Sequence, residues 1–181
     1  MTDNSQSNRE EVVVCALYHF VSIDDYGTLQ QSLLSLLKGN GVKGTLLVAA
    51  EGINGTVAGT PKGIRSLQAF LASDGRFDGI AYKLSTAKEM PFPRTWVKLK
   101  KEIVTMGVTD IDPRQIVGTY VKAKEWNDLI SDPDVTVIDT RNEYEVLIGS
   151  FENAINPHTE SFREFPGFAE SELNPLTHKK I

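Results

Sequence analysis

Cysteine is nearly absent from this sequence: Cys15 is the only one in 181 residues. A lone thiol excludes an internal disulfide and a zinc site of the CxxC kind, so packing alone must hold the fold. Long apolar runs are missing as well. Nothing approaches the roughly 20 residues that span a bilayer, and the polar segment 1–11 lacks the apolar centre of a signal peptide. We therefore expect a cytoplasmic protein with no membrane partner and a disordered N-terminus over 1–11. No cofactor motif or metal-ligand cluster is visible, and no protein partner is indicated. Asn54-Gly55-Thr56 has the form of a glycosylation sequon, which needs the secretory route, and is read as a chance match.

An excess of basic residues is also lacking, since 19 Lys and Arg face 24 Asp and Glu for a net charge of -5. Phosphate contacts require Lys and Arg, so this total by itself counts against a nucleic-acid partner. Distribution changes the reading. Segment 83–101 holds Lys83, Lys88, Arg94, Lys98, Lys100 and Lys101 against the single acid Glu89, a local charge of +5, and the rest of the chain carries -10.

What is present is a regular alternation of elements. Residues 12–21 are β-branched and aromatic without Gly or Pro, as in a buried strand. Ser22 offers a cap to a helix with Tyr26, Leu29, Leu33, Leu36 and Leu37 at helical spacing, stopped by Gly39 and Gly41. A strand over 45–50 leads to Asn54-Gly55, the pair favoured in two-residue hairpin turns, and then to 56–58. Thr60-Pro61 opens a helix with an inward stripe of Ile64, Leu67, Phe70 and Leu71, closed by Gly75. Strands over 80–85 and 95–105 follow. The order strand, helix, strand, strand, helix, strand predicts an α+β ferredoxin-like domain over 12–108, with both helices on one face of the sheet and the other face uncovered.

Segment 109–119 is poor in large apolar residues and reads as a linker. After it, a helix over 123–131, a strand over 135–139, a helix over 142–148, a brief strand over 153–155 and a helical turn over 161–165 ended by Pro166 suggest a parallel α/β domain over 120–181. Two strands in the 63 residues after Gly118 fall short of the on the order of 100 residues such a domain uses, so we read it as incomplete.

Strand alternation puts Trp96, Lys98, Lys100 and Glu102 on one face of the last strand and Val97, Leu99 and Ile103 on the other. The first set could stack on bases and hold phosphates, together with Arg94 and Lys101, or could be a solvated edge guarded by lysines. Glu51, beside the predicted turn, could reach a ligand or simply belong to that turn. Cys15 reads as a small core residue, with His19 as its packing neighbour. Asp139 and Arg141 directly follow a predicted buried strand, at the edge where α/β folds bind ligands, and could equally brace one another or cap the next helix. His158 reads as a surface loop residue. No residue in the chain stands out as a nucleophile, and no catalytic residue is assigned.

The runs Gly44-Thr45-Leu46-Leu47-Val48-Ala49-Ala50-Glu51-Gly52-Ile53-Asn54-Gly55-Thr56, Lys98-Leu99-Lys100-Lys101-Glu102-Ile103-Val104, Asp139-Thr140-Arg141-Asn142-Glu143-Tyr144-Glu145-Val146 and Phe162-Arg163-Glu164-Phe165-Pro166 together resemble the rhodanese-related tRNA uridine hydroxylases. The resemblance extends over nearly all of 13–166. It implies an acylphosphatase-like N-terminal domain, a rhodanese-like domain, tRNA as partner and molecular oxygen as co-substrate for hydroxylation at C5 of the wobble uridine. Taken with the +5 segment, it makes Arg94, Trp96, Lys98, Lys100 and Lys101 the expected tRNA contacts, and Asp139 and Arg141 the expected support of the rhodanese site. It also implies a catalytic cysteine in a Cys-Thr-Gly-Gly-Ile-Arg-Cys loop, expected beyond Ile181, and Cys15 is not its equivalent. A rhodanese-type sulfurtransferase and a non-enzymatic RNA-binding module remain open beside the hydroxylase.

Overall fold

The computed structural model describes residues 11–103 and 118–173. The expected disordered segment lies outside them except for Glu11, as do most of the expected linker and residues 174–181. The chain forms two compact units, 1–104 and 105–181.

The first unit runs β1 (Val12–Phe20), α1 (Tyr26–Gly39), β2 (Lys43–Ala49), β3 (Gly52–Gly59), α2 (Pro61–Ala72), a 3-10 turn (Gly75–Phe77), β4 (Ala81–Ala87) and β5 (Thr95–Leu99). Its sheet has the order β4-β1-β3-β2-β5, all neighbours being antiparallel except β5, which lies parallel to β2. This is the acylphosphatase-like form of the ferredoxin-like α+β fold with one strand added at the edge.

The core follows from two periodicities. Alternate strand residues Cys15, Leu17, Leu46, Val48, Ile53, Val57 and Val97 meet the helix stripes Leu29, Leu33, Leu37 and Ile64, Leu67, Leu71 in one buried cluster. Helix α2 starts as its sequence demands, with Thr60 Oγ1 accepting from Gly63 N at 3.1 Å and Pro61 in the first turn. Helix α1 does not use Ser22. Its N-cap position is Asp25, whose side chain makes no cap bond and pairs instead with Arg76. A missing cap costs about 1 kcal/mol, against about 1.5–3 kcal/mol for each fully buried leucine, so the stripe and not the cap sustains the helix.

Three further expectations are corrected. The β2–β3 turn is at Ala50-Glu51, and Asn54-Gly55 lies inside β3, paired with Leu47 and Leu46. Glycine is required there because Gly55 has φ +156 and an added Cβ would stand 2.1 Å from Thr45 O. β5 ends at Leu99 rather than 105, and Leu99, assigned to the core by alternation, is 49% exposed. Val97 joins the buried cluster, while Leu99 does not. Ile103 is buried, but outside the main cluster. Its N–H donates to Glu51 Oε1 at 2.6 Å and its carbonyl accepts from Asn54 Nδ2 at 3.0 Å. The glutamate thus holds the chain leaving β5, and the amide of the apparent sequon does the same.

The second unit contains α3 (Ala123–Ile130), α4 (Glu143–Val146), a 3-10 turn (Phe162–Glu164) and α5 (Phe165–Glu172). The two expected strands are reduced to isolated bridges, among them a parallel one between Ile138 and Ile155, with no strand among the described residues of this unit. Pro166 does not end a helical turn. It sits in the first turn of α5, where its missing N–H has no intrahelical partner to lose. A rhodanese domain is not shown by these elements.

Candidate nucleic-acid interface

Both helices of the first unit pack on the strand face that carries Cys15 and Leu17. Strand residues of the other parity share the opposite face, and the pairing register arranges them in rows across the sheet. One row is Lys83, Ala16, Thr56, Thr45, Trp96, and the next is Ala81, Tyr18, Asn54, Leu47, Lys98. A third carries Ser85, Val14, Ala58 and Lys43.

Trp96 is 46% and Tyr18 48% exposed, unusually open for aromatic side chains on a sheet. Lys98 Nζ lies 5.6 Å from the Trp96 ring centroid, a cation–π contact that keeps a charge beside the ring. Lys83 and Lys98 are exposed and Lys43 is half-buried. No Asp or Glu occupies a strand position facing this way.

The sequence-derived contacts divide accordingly. Trp96 and Lys98 lie on this face, as alternation requires. Arg94 precedes β5, where its carbonyl accepts from Gly44 N at 2.8 Å, and its side chain is exposed. Lys100 extends the pairing through its N–H to Val48 O at 2.9 Å, and exposed Lys101 lies past the strand. Tyr18, Lys43 and Lys83 were not identified from the sequence. Only the pairing register brings these three residues onto the face of Trp96. The outer side of edge strand β5 is partly closed by Gln30, whose Nε2 donates to Val97 O at 2.8 Å.

Cys15 is fully buried, and burial pushes its thiol pKa up, opposite to what a nucleophile needs. In the second unit Asp139 and Arg141 do come together. Arg141 Nε donates to Asp139 Oδ1 at 2.8 Å and Nη2 to Oδ2 at 2.5 Å, while Ser150 Oγ donates to Oδ2 at 2.7 Å. The guanidinium holds the Asp139 carboxyl well below the usual carboxylate range, burial opposing it and Ser150 assisting. Arg141 Nη2 also donates to Gly149 O at 2.7 Å, so the pair ties the ends of the α4 loop together. The helix cap belongs to Asn142 and Glu145, which form a capping box. His158 is exposed, with Nδ1 3.3 Å from Glu143.

Two other concavities lack such chemistry. A shallow depression of about 590 Å³ between α1 and α2, lined by Gln31, Ser35, Asn40 and Phe70 among others, holds no ionisable side chain. A cleft of about 290 Å³ in the second unit is mainly apolar, with Trp126, Leu129, Val137 and Phe165 in its wall. Among the described residues no group of His, Cys, Asp and Glu could hold a metal ion, and no helix is long and apolar enough to cross a membrane.

Residues 12–103 match the family described as UPF0176 acylphosphatase like domain. Among solved structures, the dark-state BLUF protein BlrB is 20% identical with a TM-score of 0.42, over 50% of this chain and 74% of its own. Full-length HypF in a phosphate- and nucleotide-bound form is 10% identical with a TM-score of 0.36, over 52% of this chain and 12% of its own. Klebsiella pneumoniae BlrP1 in a calcium and cy-diGMP complex is 16% identical with a TM-score of 0.39, over 89% of this chain and 34% of its own. Likenesses this slight carry no argument about function.

Proposed function

This chain belongs to the UPF0176 acylphosphatase-like family, and on that premise we propose that it is the tRNA-contacting part of a rhodanese-related tRNA-modifying enzyme, acting in oxygen-dependent C5 hydroxylation of the wobble uridine. The observation that carries the tRNA contact is the exposed pair Trp96 and Lys98 on a sheet face whose strand positions carry no acid, flanked by Arg94, Lys100 and Lys101. An aromatic ring takes a base and ammonium groups take phosphates, which is how RNA is held outside a helix. The family resemblance supports the reaction.

The nucleophile implied for that reaction is not Cys15, which is buried with a raised pKa and sits in a strand without the N–H cradle that stabilises a thiolate. We therefore assign the reacting cysteine to a position outside these 181 residues, with Asp139 and Arg141 fixing a loop of the second unit instead of doing chemistry. The same buried thiol favours a second reading for the chain by itself, an RNA-binding module.

The test is mass spectrometry of wobble nucleosides in tRNA from cells lacking the gene, complemented by the full-length protein or by residues 1–181. Loss of 5-hydroxyuridine restored only by the full-length protein is expected. An unchanged nucleoside profile in the deletion strain would overturn the hydroxylase reading.

A further inference from the structure

Resting on the tRNA reading and extending it, we propose that the face opposite the helices takes a run of unpaired RNA nucleotides, with Tyr18 and Trp96 each stacking on a base and Lys43, Lys83 and Lys98 holding the phosphates. The register supplies the argument. Lys98 ends one row, three strands from Tyr18, and Lys83 and Trp96 stand at opposite ends of the adjacent one. Each ring therefore has a cation across the sheet from it in its own row, and Trp96 has Lys98 against its ring as well.

The spacing selects the conformation of the RNA. β1 and β5 are three strand intervals apart, about 14 Å at ~4.8 Å per interval. Bases stacked in a helix follow one another at ~3.4 Å, so two rings this far apart engage non-neighbouring bases of an extended strand. A duplex turns its base faces inward and offers such rings nothing to stack on. Between the rings Thr45 and Thr56 pair in the row of Trp96, and Leu47 and Asn54 in the row of Tyr18, where the Asn54 amide holds the carbonyl of Ile103 and so marks the limit of the open platform on that side.

Charge complementarity selects the class of occupant. The whole chain is acidic, at -5, yet the strand positions of this face include three lysines and no carboxylate. A polyanion with exposed π-faces fits that combination, and an acidic chain's own surface does not supply the bases.

The experiment is fluorescence anisotropy of the 181-residue chain with three probes: a labelled oligouridylate, an RNA duplex with the same number of nucleotides, and a complete tRNA transcript. Oligouridylate is expected to bind more tightly than the duplex. Tyr18→Leu and Trp96→Leu should each weaken it on the order of tenfold, while Tyr18→Phe and Trp96→Phe, which keep a ring, should stay near the unsubstituted protein. Lys43→Gln with Lys83→Gln should reduce the slope of log affinity against log salt by about 1.4, at ~0.7 per phosphate of a single strand. Lys38→Gln with Lys62→Gln, on the helix side, is the control and should change neither. Unaltered oligouridylate affinity in the leucine and lysine variants would overturn this face assignment, and if tRNA were still bound the proposed function would stand without it. Failure of every RNA to bind would remove both. A concentration-dependent dimer that Trp96→Leu dissociates would show that the face belongs to a second copy of the chain.

Discussion

Replacing Gly55 by alanine tests the register on which the sheet argument rests. The residue sits in β3 opposite Leu46 with φ +156, and an alanine Cβ would lie 2.1 Å from Thr45 O and 2.9 Å from Leu46 Cα. The neighbouring atoms are backbone, so relief requires β2 and β3 to part. Backbone strain costs about 1–3 kcal/mol and each stranded ladder group a further ~1–3 kcal/mol, giving a loss of about 3–5 kcal/mol. Against a total stability of ~5–15 kcal/mol, that is a fifth or more of the whole. Gly39→Ala makes the opposite case: it closes α1 with nothing within 4 Å of the new Cβ and should stabilise by about 0.5–1 kcal/mol. Urea unfolding followed by Trp96 fluorescence, in a Trp126→Phe background, reads the first unit alone. A loss of about 1 kcal/mol or less for Gly55→Ala would refute the reasoning and return Asn54-Gly55 to a turn.

Two further outcomes follow from the ionisable groups. Cys15, fully buried with a raised thiol pKa, should resist alkylation in the native protein and react at a rate that tracks unfolding in urea; fast labelling without denaturant would show that β1 is not enclosed. Asp139→Asn should lower the melting midpoint of the second unit at neutral pH. Because the folded pKa of Asp139 is depressed, its contribution is complete above the unfolded value of about 3.9 and is lost as the pH falls through the folded one, so the gap between the two proteins should shrink below pH ~4; a gap independent of pH would contradict the ion pair.

Local signals in the sequence were read where chemistry and structure coincide within a few residues. Thr60-Pro61 caps α2 because the hydroxyl, the proline and the first turn are all adjacent, and the Leu29, Leu33, Leu37 stripe needs only the helical repeat. Asn54-Gly55 was misread because a glycine demanded by a neighbouring strand looks the same in sequence as one demanded by a turn. Leu99 was misplaced because alternation says which way a side chain points but not whether anything covers it there. For the candidate interface, Trp96 and Lys98 were legible from one strand. Tyr18, Lys43 and Lys83 were not, because their meeting depends on pairings between residues distant in sequence, and no short window contains them. The pairing of Asp139 with Arg141 was legible because the two are near one another in sequence, whereas their contacts with Ser150 and Gly149 were not.

The sheet order also governs the timing of assembly on the ribosome. Only β2 and β3 can pair as soon as they emerge, across the short Ala50-Glu51 connection. β1 is made first yet lies between β3 and β4, with Val12 opposite Ala87, and β5 joins β2 later still. Such a high contact order makes folding slow. At ~5–20 residues per second of translation, the nine residues Val12–Phe20 wait several seconds before both flanks are satisfied. A nascent VVVCALYHF segment without Pro or charge is an aggregation hazard throughout that interval. Slowing translation between β3 and β4 would lengthen that exposure, and binding of β1 by a nascent-chain chaperone would shorten it.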